Sequence, residues 1–369
     1  MEEMHILKAA LGNYLSINAA RLHFLAGIIL AIIKVRTVNF AEIAVAFPGK
    51  VKKESKYKRI QRFFRFFPLD LGMVARLVVE LIDIKNDFWI LTMDRTNWKF
   101  GVININILMI GIAFKGIAFP IVWILLPKKG NSNTKERIRV VEKFVELFGT
   151  SRIKSLTGDR EFIGHEWFSY LLKTLNNFRM RIKENSLVSN SRGKLVPVKN
   201  LFKHLKPGHW HVLNSKRTVM GHHLFIVGLK MPNGEFVILA TAKEPEAALD
   251  EYKQRWEIET VFGCLKTRGF RFESTHLRDP ARISKLIAVL AIAFAWCHVI
   301  GELQNDENPI KIKKHGRRAI SIFRYGLDTL REVLLNIDKN ISNFRQMVEH
   351  MVSRISMNSS SADPPRLPP

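Results

Sequence analysis

The segment between residues 87 and 183 alternates between apolar runs and amphipathic stretches, and this order restricts the fold more than any other feature. The apolar runs are short and rich in Ile and Val, which is typical of buried strands. The amphipathic stretches have helical spacing, and the first begins at a capping Asn133 or Thr134 and ends before Gly149. We predict three strands, a helix, a strand, a helix and a strand, over Asp87–Arg95, Ile105–Phe114, Ala118–Leu126, Thr134–Phe148, Arg152–Gly158, Phe162–Leu175 and Phe178–Lys183. This order indicates a mixed α/β sheet.

The segments on either side of this sheet have different patterns. Leu7–Lys85 has helical periodicity throughout. Residues 184 to 244 are punctuated by Pro and Gly and contain a hairpin with Asn233 and Gly234 at its turn, which indicates an all-β insertion. Three more helices are predicted, and the last residues have the composition of a disordered tail. The helices are Glu251–Arg268, which begins near Pro245, then Ala281–Leu303 and Arg318–Ile337, and the tail is Ser359–Pro369.

The chain is strongly basic. It carries 58 Lys and Arg against 33 Asp and Glu, a formal charge of +25, while 47% apolar residues are enough for a packed core and exclude a disordered chain. Such an excess predicts a polyanionic partner, either nucleic acid or an acidic membrane surface. Lys50–Arg65 has eight basic residues against the single Glu54, and Lys311–Arg324 has six and no acid. Both segments are predicted to contact DNA, although a solvated basic helix face is the alternative for the first.

Two further features limit the class of protein. Cys264 and Cys297 are the only cysteines, so a disulfide framework and a cysteine-rich zinc site are excluded and a reducing cytoplasm is expected. The apolar run Leu286–Ile300 has fifteen residues, fewer than the ~20 that a membrane-spanning helix needs. We therefore predict a cytoplasmic protein with no membrane span.

Polar residues of one predicted helix fall on a narrow stripe. At ~100° per residue, Tyr252, Arg255, Glu259 and Lys266 lie within about 60° of one another. A solvated salt-bridge face, with Arg255 and Glu259 as an i,i+4 pair, is the ordinary explanation.

Two aspartates favour a functional explanation of that stripe. Asp94 and Asp159 each end a predicted strand, and the carboxyl edge of a sheet is where ligands bind. Close carboxylates repel, so Asp94, Asp159 and Glu259 would converge only around a positive group. Oxygen ligands suit Mg²⁺ or Mn²⁺, and two such ions would support phosphoryl transfer.

At these residues the sequence resembles the DDE-type transposases of bacterial insertion sequences, specifically insertion sequence family four. The mark of that family is Y-x2-R-x3-E-x6-K, and Tyr252, Arg255, Glu259 and Lys266 match every spacing. The resemblance extends to Asp94 in LTMDRTNW, to Asp159 in DREF, and to a basic aromatic string before the core. It covers most of the chain, from about Lys50 to Leu330.

The resemblance implies a fold and a division of the chain. The fold is a ribonuclease H-like mixed sheet core interrupted by an all-β insertion, with helical N- and C-terminal regions. The five regions are 1–85, helical and DNA-binding; 86–184, the first part of the core; 185–244, the β insertion; 245–303, the second part of the core; and 304–369, helical, for DNA contact or dimerisation, with the disordered tail.

The resemblance also implies an activity, cut-and-paste DNA transposition by metal-dependent cleavage and strand transfer. Asp94, Asp159 and Glu259 would hold two Mg²⁺ or Mn²⁺ ions, and Tyr252, Arg255 and Lys266 would bind a DNA phosphate. Arg181 and Lys183 are either further phosphate ligands or simple strand-edge charges. The expected partners are transposon-end and target DNA, and a second copy of the chain in a homodimer.

Other interpretations remain open at this stage. A structure-selective nuclease would keep the three acids and cleave DNA but lack strand transfer. A DNA-binding regulator would have neither cleavage nor strand-transfer activity. Trp210 would stack on an extruded base or fill the core, and the core is favoured because it is the commoner use. The five histidines between His204 and His223 are interpreted as strand and loop residues rather than zinc ligands.

Overall fold

The computed structural model describes residues 1–84, 88–314 and 316–359. The chain divides into two compact units, which we call the helical unit (Met1–Asn86 with Phe262–Pro369) and the sheet unit (Asp87–Val261). The predicted tail lies outside the described residues except for Ser359, which ends a helix. The predicted five-region functional division stays a prediction.

Twelve α-helices and eleven β-strands are found in the described residues. The helices are α1 (Glu2–Gly12), α2 (Ala19–Val35), α3 (Phe40–Ala46), α4 (Lys53–Phe66), α5 (Leu71–Ile82), α6 (Thr134–Phe148), α7 (His165–Thr174), α8 (Ala248–Lys253), α9 (Trp256–Leu265), α10 (Pro280–Glu307), α11 (Ile322–Leu335) and α12 (Ile337–Ser359). The strands are β1 (Trp89–Phe100), β2 (Ile103–Phe114), β3 (Ile117–Leu125), β4 (Ile153–Gly158), β5 (Phe178–Ile182), β6 (Leu187–Ser189), β7 (Leu195–Pro197), β8 (Trp210–Val212), β9 (Arg217–Val219), β10 (His222–Lys230) and β11 (Phe236–Thr241).

The sheet unit is built on one mixed sheet with the strand order β3-β2-β1-β4-β5-β11-β10-β9-β6-β7, and β8 pairs with β10. Strands β1, β4 and β5 are parallel, whereas β2 and β3 run antiparallel to their neighbours. The predicted fold class is confirmed: a ribonuclease H-like mixed sheet, extended by an all-β segment, in a chain with helical terminal regions. The all-β segment continues the core sheet, because β11 pairs directly with β5.

Local sequence signals explain how α6 covers this sheet. Asn133 and Glu136 form the reciprocal capping box at its start, and Gly149 ends it with φ +67°. Its buried face, with Val140, Val141 and Phe144, packs on β2 and β3. The predicted bounds of this helix are confirmed.

The predicted helices Phe162–Leu175, Ala281–Leu303 and Arg318–Ile337 differ from α7, α10 and α11 by three or four residues at one end. Two other predicted elements, both at the candidate site, are wrong in extent. Strand β1 does not end at Arg95 but continues to Phe100, because residues 94–100 pair with β2 in antiparallel register. The predicted helix Glu251–Arg268 is two helices, α8 and α9, separated by a turn at Gln254 and Arg255. There the backbone N–H groups of residues 254 and 255 bond three residues back, the tighter 3₁₀ pattern.

Two aromatic residues are largely exposed. Helix α4 has a basic face and an aromatic face, and Ile60, Phe63 and Phe64 are buried. Phe66, however, is 65% exposed. Trp210 on β8 is 50% exposed, so its predicted place in the core is wrong.

The helical unit is centred on α10, whose apolar middle section is buried on all sides. Helices α2, α5 and α11 pack against it. At the crossing with α11, a Cβ added to Gly301 would lie 2.0 Å from the carbonyl oxygen of Ile322, and one added to Gly326 would lie 1.8 Å from that of Cys297. These two backbones therefore touch, and the crossing requires glycine on both helices.

The length argument against a membrane span is wrong for α10. The helix has 28 residues, so by length and composition it is able to cross a membrane, and the bent pair α2 and α3 passes the same test. Yet 94% of its most apolar window is buried inside the protein. This is the burial expected of a core helix, which removes any need for lipid around it.

Candidate active site

Asp94 and Asp159 lie side by side at the carboxyl edge of the parallel strands. The last parallel pair between β1 and β4 is Met93 with Gly158, and each aspartate is the next residue of its strand. Asp159 follows the end of β4, as predicted, whereas Asp94 is within β1 at the point where its pairing with β4 stops. The sheet register thus brings together two acids that are 65 residues apart in sequence.

Asp94 is in an environment that disfavours its charge. Burial raises the pKa of its carboxyl group to about 6, although the Arg95 backbone N–H and the Arg255 guanidinium both lower it, and Glu259 and Glu161 raise it further. The Arg95 N–H donates to Asp94 Oδ1 at 2.7 Å. A cation close to Asp94 would stabilise its ionised form.

Arg255 joins the first acid to Glu259. Its Nη1 lies 2.9 Å from Glu259 Oε1 and 3.5 Å from Asp94 Oδ2. The Arg255 side chain is only 4% exposed, whereas that of Glu259 is 40% exposed. The i,i+4 pair is therefore more than a solvated surface salt bridge, because its arginine is buried between two acids.

Tyr252 and Arg181 lie next to the second acid. The Tyr252 hydroxyl donates to Asp159 Oδ1 at 3.4 Å, and Arg181 Nη1 is 4.0 Å from the same oxygen. Burial raises the pKa of Tyr252 to about 12, so its hydroxyl remains a hydrogen-bond donor over the physiological range. Six of the eight predicted site residues are therefore joined by such contacts. They form two groups, Asp94 with Arg255 and Glu259, and Asp159 with Tyr252 and Arg181.

Lys266 and Lys183 have other surroundings. Lys266 belongs to the helical unit, where its Nζ lies 2.8 Å from Glu273 Oε1. Lys183 is an exposed residue directly after β5, two positions beyond Arg181. Their roles as phosphate ligands stay predictions.

The family model described as transposase DDE domain matches residues 85–296, more than half of the chain. The chain belongs to this family. Membership confirms the predicted DDE-type transposase and indicates an enzyme that acts on DNA, while the assignment to insertion sequence family four stays a prediction.

Comparisons beyond the family model add little. The C-terminal lobe of a budding yeast Argonaute, a solved crystal structure, is similar over 77% of this chain and 62% of that chain, with 12% identity and a TM-score of 0.23. The transposase chain spans less than two thirds of that structure. No curated protein matches the sequence significantly.

The three predicted acids fit a divalent cation in donor chemistry. Asp94, Asp159 and Glu259 offer only carboxylate oxygens, the ligands that Mg²⁺ and Mn²⁺ prefer. Burial raises the pKa of the Asp94 carboxyl group, and a bound cation would favour its charged form. Within residues 1–84, 88–314 and 316–359, however, no group of three or more His, Cys, Asp or Glu is close enough to share an ion. Arg255 is the positive group between Asp94 and Glu259 here.

A buried ionic network that the sequence did not predict anchors α8 to the sheet. Arg179 on β5 is fully buried, and its Nε lies 3.0 Å from Glu251 Oε2. The same carboxylate accepts a hydrogen bond from Ser155 at 2.5 Å and pairs with Lys154 at 3.2 Å. Because Glu251 directly precedes Tyr252, this network fixes the start of the segment that carries Tyr252 and Arg255. Arg179 and Arg181 alternate on one face of β5, but this alternation does not identify Glu251 as a partner.

A second set of contacts holds the loop that follows Asp159. Arg95, next to Asp94, pairs with Glu161 at 3.2 Å. Arg137 on α6 donates to the backbone carbonyls of Glu161 at 2.8 Å and Ile163 at 3.2 Å. Side-chain contacts therefore hold the residues next to the two acids together, in addition to the backbone pairing of β1 with β4.

Glu257 holds α9 on the turn between β2 and β3. Its carboxylate takes part in backbone hydrogen bonds with Phe114 and Gly116, which lower its pKa, but burial dominates and raises the pKa to about 7. The charged form is therefore less stable in the folded protein than in the unfolded chain.

We expect Glu257→Gln to stabilise the protein relative to wild type above neutral pH. The pKa of Glu257 in the folded protein is higher than its usual value of 4.5. The protonated carboxyl group therefore makes its full contribution to stability below about pH 4.5, and this contribution is lost as the pH rises through about 7. Glutamine has no charge to bury, so the difference in urea midpoint between variant and wild type should widen in favour of the variant between pH 5 and pH 8. Glu235→Gln, at an exposed glutamate, is the control. A constant difference across this range would contradict the expectation.

Proposed function

We propose that this transposase cleaves DNA at transposon ends and transfers the freed 3′ end into target DNA, as in cut-and-paste transposition. The observation that carries the proposal is the adjacency of Asp94 and Asp159 at the end of the β1–β4 pairing, with Glu259 joined to Asp94 through Arg255. Acids at that edge of a ribonuclease H-like sheet, in a strongly basic chain, suit metal-assisted chemistry on DNA.

Asp94, Asp159 and Glu259 would hold the metal, two Mg²⁺ or Mn²⁺ ions per site. Bound there, the ions would supply activation of the attacking oxygen and stabilisation of the leaving oxygen. Both chemical steps, attack by water at the transposon end and attack by the freed 3′ hydroxyl on target DNA, are in-line displacements at phosphorus. The protein contributes mainly position and charge to such steps.

The other site residues would bind the DNA phosphate. Arg255 would present its planar guanidinium to two phosphate oxygens, and Tyr252 would donate a hydrogen bond from a hydroxyl that stays protonated. Arg181, close to Asp159, is placed to contact the same backbone. Lys266, whose Nζ pairs with Glu273, and Lys183 would act as point charges.

Transposition also defines the assembly. Two transposon ends must be cut and joined together, so we propose a homodimer that holds two end duplexes and then the target. The 304–369 region would serve DNA contact or dimerisation, and the protein would act in the cytoplasm, on the nucleoid.

The test is joining of a labelled 3′ end. Purified full-length protein is incubated with Mg²⁺, a duplex that carries a transposon end with a labelled 3′ strand, and an unrelated supercoiled plasmid. We expect cleavage at the end, followed by transfer of the label to the plasmid, and loss of both with EDTA. Cleavage without joining would favour the structure-selective nuclease, and binding without cleavage would favour the regulator; either result would contradict the proposed function.

A further inference from the structure

A cavity of about 560 Å³ lies within the helical unit. Its walls come from α4, from residues 38–40 at the start of α3, and from residues 275–277 with Arg282 around the start of α10. Segments from opposite ends of the sequence therefore meet to form it. None of the residues assigned above to the acid site lines this cavity.

The cavity is positively charged. Lys58, Arg62, Arg65 and Arg282 line it, and none of its described lining residues is an aspartate or a glutamate. Lys58, Arg62 and Arg65 follow one another at intervals of four and three residues, so they share one face of α4. Like charges at this spacing destabilise a helix. Asp279, which does not line the cavity, lies 3.9 Å from Arg282. Among the described residues, the cavity walls themselves provide no carboxylate to the cations of α4. An anionic ligand would relieve this repulsion.

The cavity is also aromatic. Phe40, Tyr57 and Phe66 are among its lining residues. Phe66 is 65% exposed, and the guanidinium carbon of Arg65 lies 5.0 Å from the centre of its ring. An exposed aromatic ring beside cations is the arrangement that proteins use to bind single-stranded nucleic acid, in which the ring stacks on a base and the cations follow the phosphates.

The size of the cavity limits which DNA structures are able to bind in it. A volume of about 560 Å³ lies within the ~300–1,000 Å³ of pockets that enclose a small ligand. A paired base cannot reach the rings of such a pocket, because both of its faces are covered by neighbouring base pairs. An unpaired nucleotide presents both a phosphate and a free base face.

We propose that this cavity binds one unpaired nucleotide of a DNA strand. The phosphate lies on Arg62, Arg65 and Arg282, and the base stacks on Phe66. The inference rests on the proposed function for its ligand, DNA, and goes beyond it by assigning a site for unpaired DNA that is separate from the acids.

The test compares DNA binding by full-length wild type and Phe66→Ala. Fluorescence anisotropy is measured with a blunt duplex, with the same duplex carrying a short single-stranded overhang, and with a free deoxynucleoside monophosphate as competitor. Since stacking is worth ~1–3 kcal/mol per base, we expect Phe66→Ala to weaken overhang binding about tenfold and to leave blunt duplex binding unchanged. Phe66 is largely exposed, so its removal does not open the core.

A second pair of variants tests the cations. Arg62→Ala should also weaken overhang binding more than blunt binding, whereas Lys53→Ala, an exposed cation of α4 that does not line the cavity, should affect both equally. Wild-type affinity of Phe66→Ala for overhang DNA would overturn the inference, as would equal losses for both DNAs. Displacement of the overhang by the free monophosphate at similar concentration would instead identify a free-nucleotide site. Failure of wild type to bind any DNA would overturn the proposed function and the inference together, whereas strand transfer without a Phe66 effect would overturn the inference alone.

Discussion

Asp94→Asn is expected to lower the rate of Mg²⁺-dependent strand cleavage by roughly 10³-fold. Loss of a residue that only orients a metal ligand costs ~10–100-fold, and loss of one group that stabilises transition-state charge costs ~10²–10³-fold. The substitution removes one carboxylate charge from the edge of β1 and keeps the shape of the side chain. The oxygen of asparagine still accepts the 2.7 Å hydrogen bond from the Arg95 N–H. Cleavage of a labelled transposon-end duplex under single-turnover conditions measures the effect.

The controls separate chemistry from binding. Affinity for the uncleaved duplex should not fall, because the variant loses a negative charge rather than a contact with phosphate. Asp250→Asn makes the same change at an exposed acid of the sheet unit and should cleave like wild type. Asp159→Asn should behave as Asp94→Asn does. Normal cleavage by either site variant would show that the acid pair is not the metal site.

Glu251→Gln is expected to lower the free energy of unfolding by about 3–5 kcal/mol, the cost of breaking a buried ion pair from one side. Arg179 is fully buried and would lose the carboxylate that lies 3.0 Å from its Nε. Of its remaining partners, Asn177, Thr241 and the carbonyl of Lys243 carry no charge. In the part of the chain that the structure describes, the only other carboxylate beside it is that of Glu244, which lies 3.6 Å from Nη2 and is 62% exposed, so water screens its charge. Urea unfolding measures the loss.

Two further variants make this result specific. Glu246→Gln, at an exposed glutamate in the preceding turn, should leave stability unchanged. Replacing both partners, Arg179→Met with Glu251→Leu, should recover much of the stability, because apolar residues often substitute for a buried ion pair without net cost. If Glu251→Gln unfolds at the wild-type urea concentration, the network does not anchor α8.

The order of elements could be predicted from sequence because strands and helices of this core have distinct periodicities. The runs of Ile and Val that form β2 and β3, and the capped amphipathic segment that forms α6, follow local rules that short segments carry themselves. Asp159 was found in the same way, because it ends a strand. The spacing of Tyr252, Arg255 and Glu259 matches a family motif, and it predicted these site residues where helical periodicity alone could not.

Contacts between distant residues could not be predicted. Strand β1 runs past Asp94 because β2 offers partners for it, and nothing in the sequence from 95 to 100 announces that pairing. The turn at Gln254 and Arg255 interrupts a pattern that is helical on both sides, and it coincides with the buried position of Arg255 against Asp94. Arg179 and Glu251 are ordinary charged residues in their own segments and become a pair only when β5 and α8 meet.

The division of the helical unit between the two ends of the chain sets the order in which the protein is able to fold. Helices α1, α2 and α5 pack against α12, α11 and α10, which leave the ribosome only after the whole sheet unit. At ~5–20 residues per second, the N-terminal helices wait roughly 10–40 s for their partners, while the continuous sheet unit folds between them. A nascent chain therefore exposes apolar helix faces during that interval. A gene copy with a premature stop after Val261 would still encode the acids, yet its N-terminal helices would never acquire the core that completes them.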